Sequence, residues 1–96
     1  MPTLDEILAT LREQYAILSR RYPLHRMALF GSWARGDARE ESDVDILVDV
    51  DPSISLRFVD LGDELEQALG RRVDLVSRRA LKPSYWQRIE GELIDA

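Results

Sequence analysis

The chain has 96 residues, 45% of them hydrophobic, a formal net charge of −5 and no cysteine. The length predicts one small domain spanning residues 1–96, and the lack of cysteine excludes disulfides and thiolate metal sites. The acidic balance argues against nucleic acid as a partner, because nonspecific binding to it relies on Lys and Arg. With no apolar run near the roughly 20 residues of a membrane span and no signal-peptide pattern, we expect a cytoplasmic protein.

The first predicted element is an amphipathic helix over residues 3–20. Thr3 followed by Glu6 is a capping-box signature, which predicts where the helix begins. Apolar side chains recur at three- and four-residue spacing, a pattern that predicts one buried face. They are Leu4, Ile7, Leu8, Leu11, Tyr15 and Leu18. The helix is therefore expected to pack on a sheet.

The segment of residues 27–49 contains two predicted strands. The apolar run Met27–Phe30 predicts the first, and Asp43–Asp49 alternates strongly enough to predict the second. Side chains two apart on a strand point to the same face, so Asp43 and Asp45 are expected side by side. The intervening Val44, with Ile46 and Val48, would face the core.

Two adjacent carboxylates on a strand repel each other, and a divalent cation would resolve the repulsion. Mg²⁺ prefers oxygen ligands and is typically held by one or two carboxylates together with substrate phosphates. Upstream, Gly31 would allow the backbone to approach a phosphate closely and Ser32 offers a hydroxyl. The start of a helical turn there would also favour an anion. The segment thus predicts a phosphate site beside a metal site.

Three elements follow in the second half of the chain. Residues 54–69 read as a helix ending at Gly70, and Arg71–Ser77 reads as a third strand with Asp74 in its middle. A buried mid-strand carboxylate is costly without a partner or metal, whereas an exposed one on an open face is not. A short helix begins near Pro83, and Glu92–Ile94 reads as a brief tail.

These residues resemble the nucleotidyltransferase superfamily related to DNA polymerase beta. The family pattern of Gly-Ser, Ala-Arg-Gly and then Ser-Asp-x-Asp is present as Gly31–Gly36 and Ser42–Asp45. The short length points to the minimal nucleotidyltransferases, many of which are antitoxin partners of HEPN-domain toxins. The resemblance covers roughly residues 5–80 and is less specific beyond them.

The resemblance implies roles for the matching residues. Asp43 and Asp45 would hold two Mg²⁺ ions, with Mn²⁺ as an alternative, and Asp74 would share one ion and take a proton from the acceptor. Gly31 and Ser32 would bind the outer phosphates of ATP. Arg35 would either contact a phosphate or pair with an acid and brace the loop. The sequence leaves open whether Trp33, Tyr85 and Trp86 pack locally, line the site or form an interface.

The function implied by the resemblance is Mg²⁺-dependent adenylyl transfer from ATP to a hydroxyl group of a HEPN-type toxin. One alternative is an antitoxin that masks its toxin by binding alone. Another is transfer to a small molecule, as in aminoglycoside-modifying relatives, which carry an additional acceptor domain. A polymerase role is disfavoured by the size and acidity of the chain.

The expected fold is α/β (α+β), with a small mixed sheet of at least three strands. The two long helices would pack on one face of this sheet. The carboxylates would lie on the other face, because the parity of the second strand places Asp43 and Asp45 opposite Val44, Ile46 and Val48.

Overall fold

The computed structural model describes all residues, 1–96, and contains four strands and four α-helices. Short 3₁₀ turns at Pro52–Ile54, Arg78–Ala80 and Glu90–Glu92 complete it. The helices are α1 (Leu4–Leu18), α2 (Gly31–Arg35), α3 (Arg57–Leu69) and α4 (Pro83–Ile89). The strands are β1 (Leu24–Phe30), β2 (Val44–Val50), β3 (Val73–Ser77) and β4 (Ile94–Asp95). None of the helices has the length and apolar character needed to cross a membrane.

The four strands form one mixed sheet in the order β3-β2-β1-β4. Strand β1 runs antiparallel to both β2 and β4, whereas β2 and β3 are parallel. The predicted mixed sheet and α/β class are therefore confirmed. The fourth strand was not predicted, because two residues at a chain end carry too short a pattern to indicate pairing.

The long helices α1 and α3 pack on one face of the sheet, as predicted. The capping box of α1 is present: the Thr3 hydroxyl accepts from the Glu6 backbone N–H at 3.1 Å, and the Glu6 carboxylate accepts from the Thr3 N–H at 3.2 Å. The main core forms between these helices and the sheet. From β2 it takes the alternate side chains Val44, Ile46 and Val48, all fully buried.

The opposite face of the sheet is covered in part by α4. Ile89 of this helix packs with Phe30 and Leu47 in a second, smaller core cluster. Tyr85 and Trp86 are half-buried against the same cluster, so both pack on the sheet. Helix α4 therefore leaves only part of this face open, at the end where β1 stops and β2 starts.

The largest differences from the sequence-based boundaries are at the starts of β1 and α3, and the other boundaries differ by at most two residues. Strand β1 begins at Leu24 rather than Met27, because its register with β2 extends to the pair Leu24–Val50. Helix α3 begins at Arg57 rather than residue 54. A 3₁₀ turn occupies Pro52–Ile54, and Ser55 has φ +50°, which interrupts any continuous helix.

Gly62 lies inside α3 and offers a direct test of helix stability. A Cβ added there would meet Leu75 Cδ2 at 3.7 Å, an ordinary van der Waals distance. Because Ala is the better helix former, Gly62→Ala should raise the free energy of unfolding by about 0.5–1 kcal/mol. Thermal unfolding would show a midpoint higher by a few degrees. The matched change Ala68→Gly, at an exposed site of α3, should lower it; a lower midpoint for Gly62→Ala would contradict the prediction.

Candidate active site

Asp45 and Asp74 lie side by side on neighbouring strands. They are direct register partners in the parallel pair of β2 and β3, whose backbones are about 4.8 Å apart. Asp43 precedes β2 by one residue and is exposed. The topology thus brings three acids to one edge of the sheet, the edge at which β2 and β3 begin. These acids are separated by up to thirty-one positions in the sequence.

The electrostatics of Asp45 reflect this crowding. Burial, together with the negative charges of Asp74 and Asp43, raises the pKa of Asp45 to about 6, and Arg35 opposes the rise. A half-buried carboxylate beside two others favours its protonated form unless a positive charge compensates. A cation at this edge would supply that compensation.

Gly31 is the residue at which β1 turns into α2, and it sits directly against Asp45. Its φ is +77°, and a Cβ added there would lie 2.0 Å from Asp45 Oδ2 and 2.8 Å from Asp45 Cγ. Only glycine tolerates both the conformation and the contact. The sequence suggested that Gly31 allows close approach of a phosphate; in the structure the group that approaches it is the Asp45 carboxylate.

Arg35 and the backbone of Gly31 share one acidic partner, Glu92. The Gly31 N–H donates to Glu92 Oε1 at 2.9 Å, and Arg35 Nη1 donates to the two Glu92 oxygens at 3.4 and 3.3 Å. Arg35 also pairs with Asp37 at 3.4 Å. Of the two interpretations of Arg35, the structure displays pairing with acids. These contacts raise the pKa of the Arg35 guanidinium, with the Glu92 hydrogen bond as the main cause.

Glu92 was not predicted as a site residue, because its place in the chain indicated only a tail. It stands 61 positions from Gly31, and only the pairing of β4 with β1 brings the two together. A small cavity of about 190 Å³ opens at this point. Its walls include Gly31, Arg35, Asp45 and Glu92, together with Tyr85 and Arg88 of α4.

The remaining polar and aromatic residues of the motif have local roles. Ser32 is half-buried in α2. The Ser42 hydroxyl accepts a hydrogen bond from the Arg39 backbone N–H at 2.9 Å and so closes the loop before Asp43. Trp33 is 3% exposed and belongs to the main core, with the Arg71 guanidinium 5.3 Å from its ring. Trp33 therefore packs locally and does not line the site.

The donor chemistry at this edge suits a hard divalent cation. The oxygens of Asp45 and Asp74 are the ligand type that Mg²⁺ takes. The raised pKa of Asp45 indicates that a positive charge nearby would stabilise its ionised carboxylate. No group of three or more acidic, His or Cys side chains is already arranged to hold a metal. This fits the usual mode for Mg²⁺, in which one or two carboxylates act together with substrate phosphates.

Paired carboxylates beside groups that can bind an anion, on a small mixed sheet, are suited to a transferase that acts on phosphate groups. The chain belongs to the nucleotidyltransferase domain family, whose sequence pattern matches residues 11–95. The match extends past residue 80, where the resemblance of the motif residues was less specific, and it reaches into β4.

A curated relative supports this membership. The chain is 42% identical over 96 residues to the protein adenylyltransferase MntA of Thermococcus cleftensis, covering 98% of this chain and 96% of the relative. A solved structure of a candidate minimal nucleotidyltransferase superposes with a TM-score of 0.82 at 39% identity, covering 97% of this chain and 95% of the other.

Two solved complexes share the same fold. A toxin–antitoxin crystal structure with AMP-PNP gives a TM-score of 0.70 at 26% identity, with 98% of this chain and 72% of the other covered. A tri-AMPylated Shewanella oneidensis HEPN toxin in complex with its MNT antitoxin gives a TM-score of 0.60 at 25% identity. That alignment covers 96% of this chain and 66% of the matched chain.

Proposed function

We propose that the chain is a Mg²⁺-dependent protein adenylyltransferase that transfers AMP from ATP to a hydroxyl group of a HEPN-type toxin and thereby acts as its antitoxin. The observation that carries this proposal is the placement of Asp45 and Asp74 as direct neighbours beside Gly31 and Arg35. The relatives add that proteins of this fold are named adenylyltransferases and occur in complexes with toxins.

In this proposal the acids of the site bind the metal ions, and the residues near Gly31 bind the nucleotide. Asp43, Asp45 and Asp74 would hold Mg²⁺, with two ions as the expected number and Mn²⁺ as an alternative. When bound, the ions would stabilise the charge on the attacking and leaving oxygens. Gly31 and Ser32 would bind the outer phosphates of ATP, and Arg35 would exchange an acidic partner for a phosphate oxygen.

The transfer itself is an in-line displacement at phosphorus. The oxygen of the acceptor hydroxyl forms a bond to the α-phosphorus of ATP, while the bond from that phosphorus to the oxygen bridging the α- and β-phosphates breaks. Pyrophosphate leaves with that oxygen. The hydroxyl proton passes to Asp74, which lies at the exposed edge beside Asp45 and is therefore open to an acceptor arriving from outside.

The shape of the site favours a macromolecular acceptor. Its cavity of about 190 Å³ is smaller than the roughly 300 Å³ at which ligand pockets begin, so it cannot enclose both a nucleotide and a small acceptor. A partner protein would close the site from outside. An interface of ordinary size buries about 800 Å² on each side, which this domain can supply around the open edge.

The proposal predicts covalent modification of the toxin. Intact-mass spectrometry of a HEPN-type partner toxin, after incubation with the chain and Mg²⁺·ATP, should show one or more added AMP masses. The double variant Asp43→Asn/Asp45→Asn should add none, because it removes two of the three proposed ligands. Asp63→Asn, a charge change at an exposed site of α3, is the matched control and should transfer normally.

The same experiment separates catalysis from binding. If the double variant protects cells from the toxin as well as the wild type does and the toxin is never modified, the chain is an antitoxin that acts by binding alone. If modification requires Mg²⁺ and is lost only in the double variant, transfer is the activity of the site.

A further inference from the structure

The Glu92 side chain holds the position that an anionic ligand would be expected to take. Its carboxylate accepts from the Gly31 N–H at 2.9 Å and from Arg35 Nη1 at 3.3 Å, and the side chain is 21% exposed. A backbone N–H and a guanidinium are also the donors that a phosphate group uses, and Arg binds carboxylates and phosphates with the same geometry. These two donors are therefore already engaged by an anion of the chain itself.

A phosphate and the Glu92 carboxylate cannot use these donors together. The cavity that holds Glu92 also contains the Asp45 carboxylate, so a phosphate entering it would meet two negative charges at close range. When the Glu92 carboxylate leaves its donors, one of these two negative charges moves away from the phosphate. The Gly31 N–H and the Arg35 guanidinium become free at the same time. Arg88, on the α4 side of the cavity, makes no salt bridge and is available to an anion there.

The backbone allows Glu92 to leave without loss of the fold. The segment is anchored on the far side of Glu92 by β4, where Asp95 and Ile94 pair with Ala28 and Leu29, and by the Arg26–Asp95 ion pair at 2.8 Å. On the near side, Gly91 is exposed and a Cβ there would meet nothing within 4 Å. A rotation of the Glu92 side chain would free the donors without breaking the pairing of β4 with β1.

We propose that Glu92 is an affinity-determining residue, an intramolecular competitor that the phosphates of the nucleotide must displace from Gly31 and Arg35. This inference rests on the proposed function, since it assumes that the nucleotide uses those donors. It predicts that the chain binds nucleotide more weakly than its phosphate donors alone would allow. It also predicts that the gain on removing Glu92 is tied to the phosphates and not to the adenosine.

The test compares Glu92→Gln with Glu90→Gln by titration calorimetry. Both variants remove one negative charge from the same 3₁₀ turn, but the Glu90 side chain is exposed and makes no hydrogen bond, so long-range effects of charge are matched. With Mg²⁺·AMP-PNP, Glu92→Gln should lower Kd about tenfold, because a neutral amide competes far less well for Arg35 than a carboxylate does. Glu90→Gln should stay within about twofold of wild type. The Kd values for Mg²⁺·pyrophosphate should follow the same order among the wild type and the two variants.

The Glu92→Ala variant is a second test, because the side-chain amide of Glu92→Gln could still occupy the donors. Glu92→Ala should also bind the nucleotide more tightly than the wild type does. Thermal unfolding of each variant verifies that β4 remains in place. Wild-type affinity in both Glu92 variants, or weaker binding than wild type, would overturn the inference and would make Glu92 a residue that only positions Gly31 and Arg35. Failure of the wild type and of both Glu92 variants to bind AMP-PNP with Mg²⁺ would overturn the proposed function together with this inference.

Discussion

The Gly31→Ala variant should lose adenylyl transfer by about a hundredfold or more. The added Cβ would lie 2.0 Å from Asp45 Oδ2, a distance that forces the carboxylate out of its place beside Asp74. Displacing a catalytic group by about 1 Å is enough for a loss of roughly this size. The φ of +77° adds backbone strain of about 1–3 kcal/mol to the folded state. Toxin modification, followed by intact mass at several times, measures the loss of rate.

The matched control separates displacement of Asp45 from backbone strain. Gly70, which ends α3, has φ +64° and nothing within 4 Å of an added Cβ. Gly70→Ala therefore imposes similar strain without touching a carboxylate. It should lower the midpoint of thermal unfolding while transfer continues at close to the wild-type rate. Equal transfer by Gly31→Ala and wild type would show that the contact between Gly31 and Asp45 has no part in the reaction.

The Asp45→Asn variant should be more stable than the wild type at neutral pH and yet inactive, by roughly 10³-fold or more. Because the folded pKa of Asp45 is about 6 and the ordinary value is 3.8, the folded protein binds more protons than the unfolded chain between these pH values. The stability linked to this group is therefore fully present below about pH 4 and is lost as the pH rises through 6. Asn carries no charge, so its variant does not suffer that loss.

Calorimetric unfolding from pH 4 to pH 8 in the presence of a chelator measures the effect. Asp45 is partly exposed, so solvent screening reduces the gain to about 1 kcal/mol, or a few degrees in Tm. The difference between variant and wild type should appear between about pH 4 and pH 6 and stay constant above. Asp63→Asn, at an exposed site of α3, should show no such step. A pH-independent difference, or a less stable Asp45→Asn variant at pH 7, would contradict the assigned environment.

Added Mg²⁺ should stabilise the wild type and leave the stability of the Asp45→Asn variant nearly unchanged. A ligand that binds the folded state raises its stability in proportion to the logarithm of its concentration. Millimolar Mg²⁺ at pH 7 should therefore raise the Tm of the wild type, whose carboxylates would bind it. It should leave the Asp45→Asn variant nearly unchanged, because that variant lacks the central carboxylate of the proposed site. Equal shifts in the two proteins would argue against Asp45 as a ligand.

Local sequence patterns were enough to predict the elements whose signal repeats within a few residues. The helical spacing of apolar residues and the Thr3–Glu6 capping box predicted α1, and the alternation of apolar and acidic residues predicted β2 with its acids opposite Val44 and Ile46. A short window of sequence contains all the information that such features need. The motif of residues 31–45 was sufficient in the same way to indicate the family.

Contacts between distant segments could not be predicted from local patterns, although the family resemblance had implied that Asp74 shares an ion with Asp43 and Asp45. The pairing of β4 with β1 placed Glu92 on Gly31 and Arg35, and the parallel register of β2 and β3 placed Asp74 beside Asp45. A two-residue strand has no readable period, and register depends on how whole elements pack, so neither arrangement is encoded in a local pattern. For this reason the sequence could name the acids and the glycine of the candidate site. It could not show that Glu92 occupies the donors of Gly31 and Arg35.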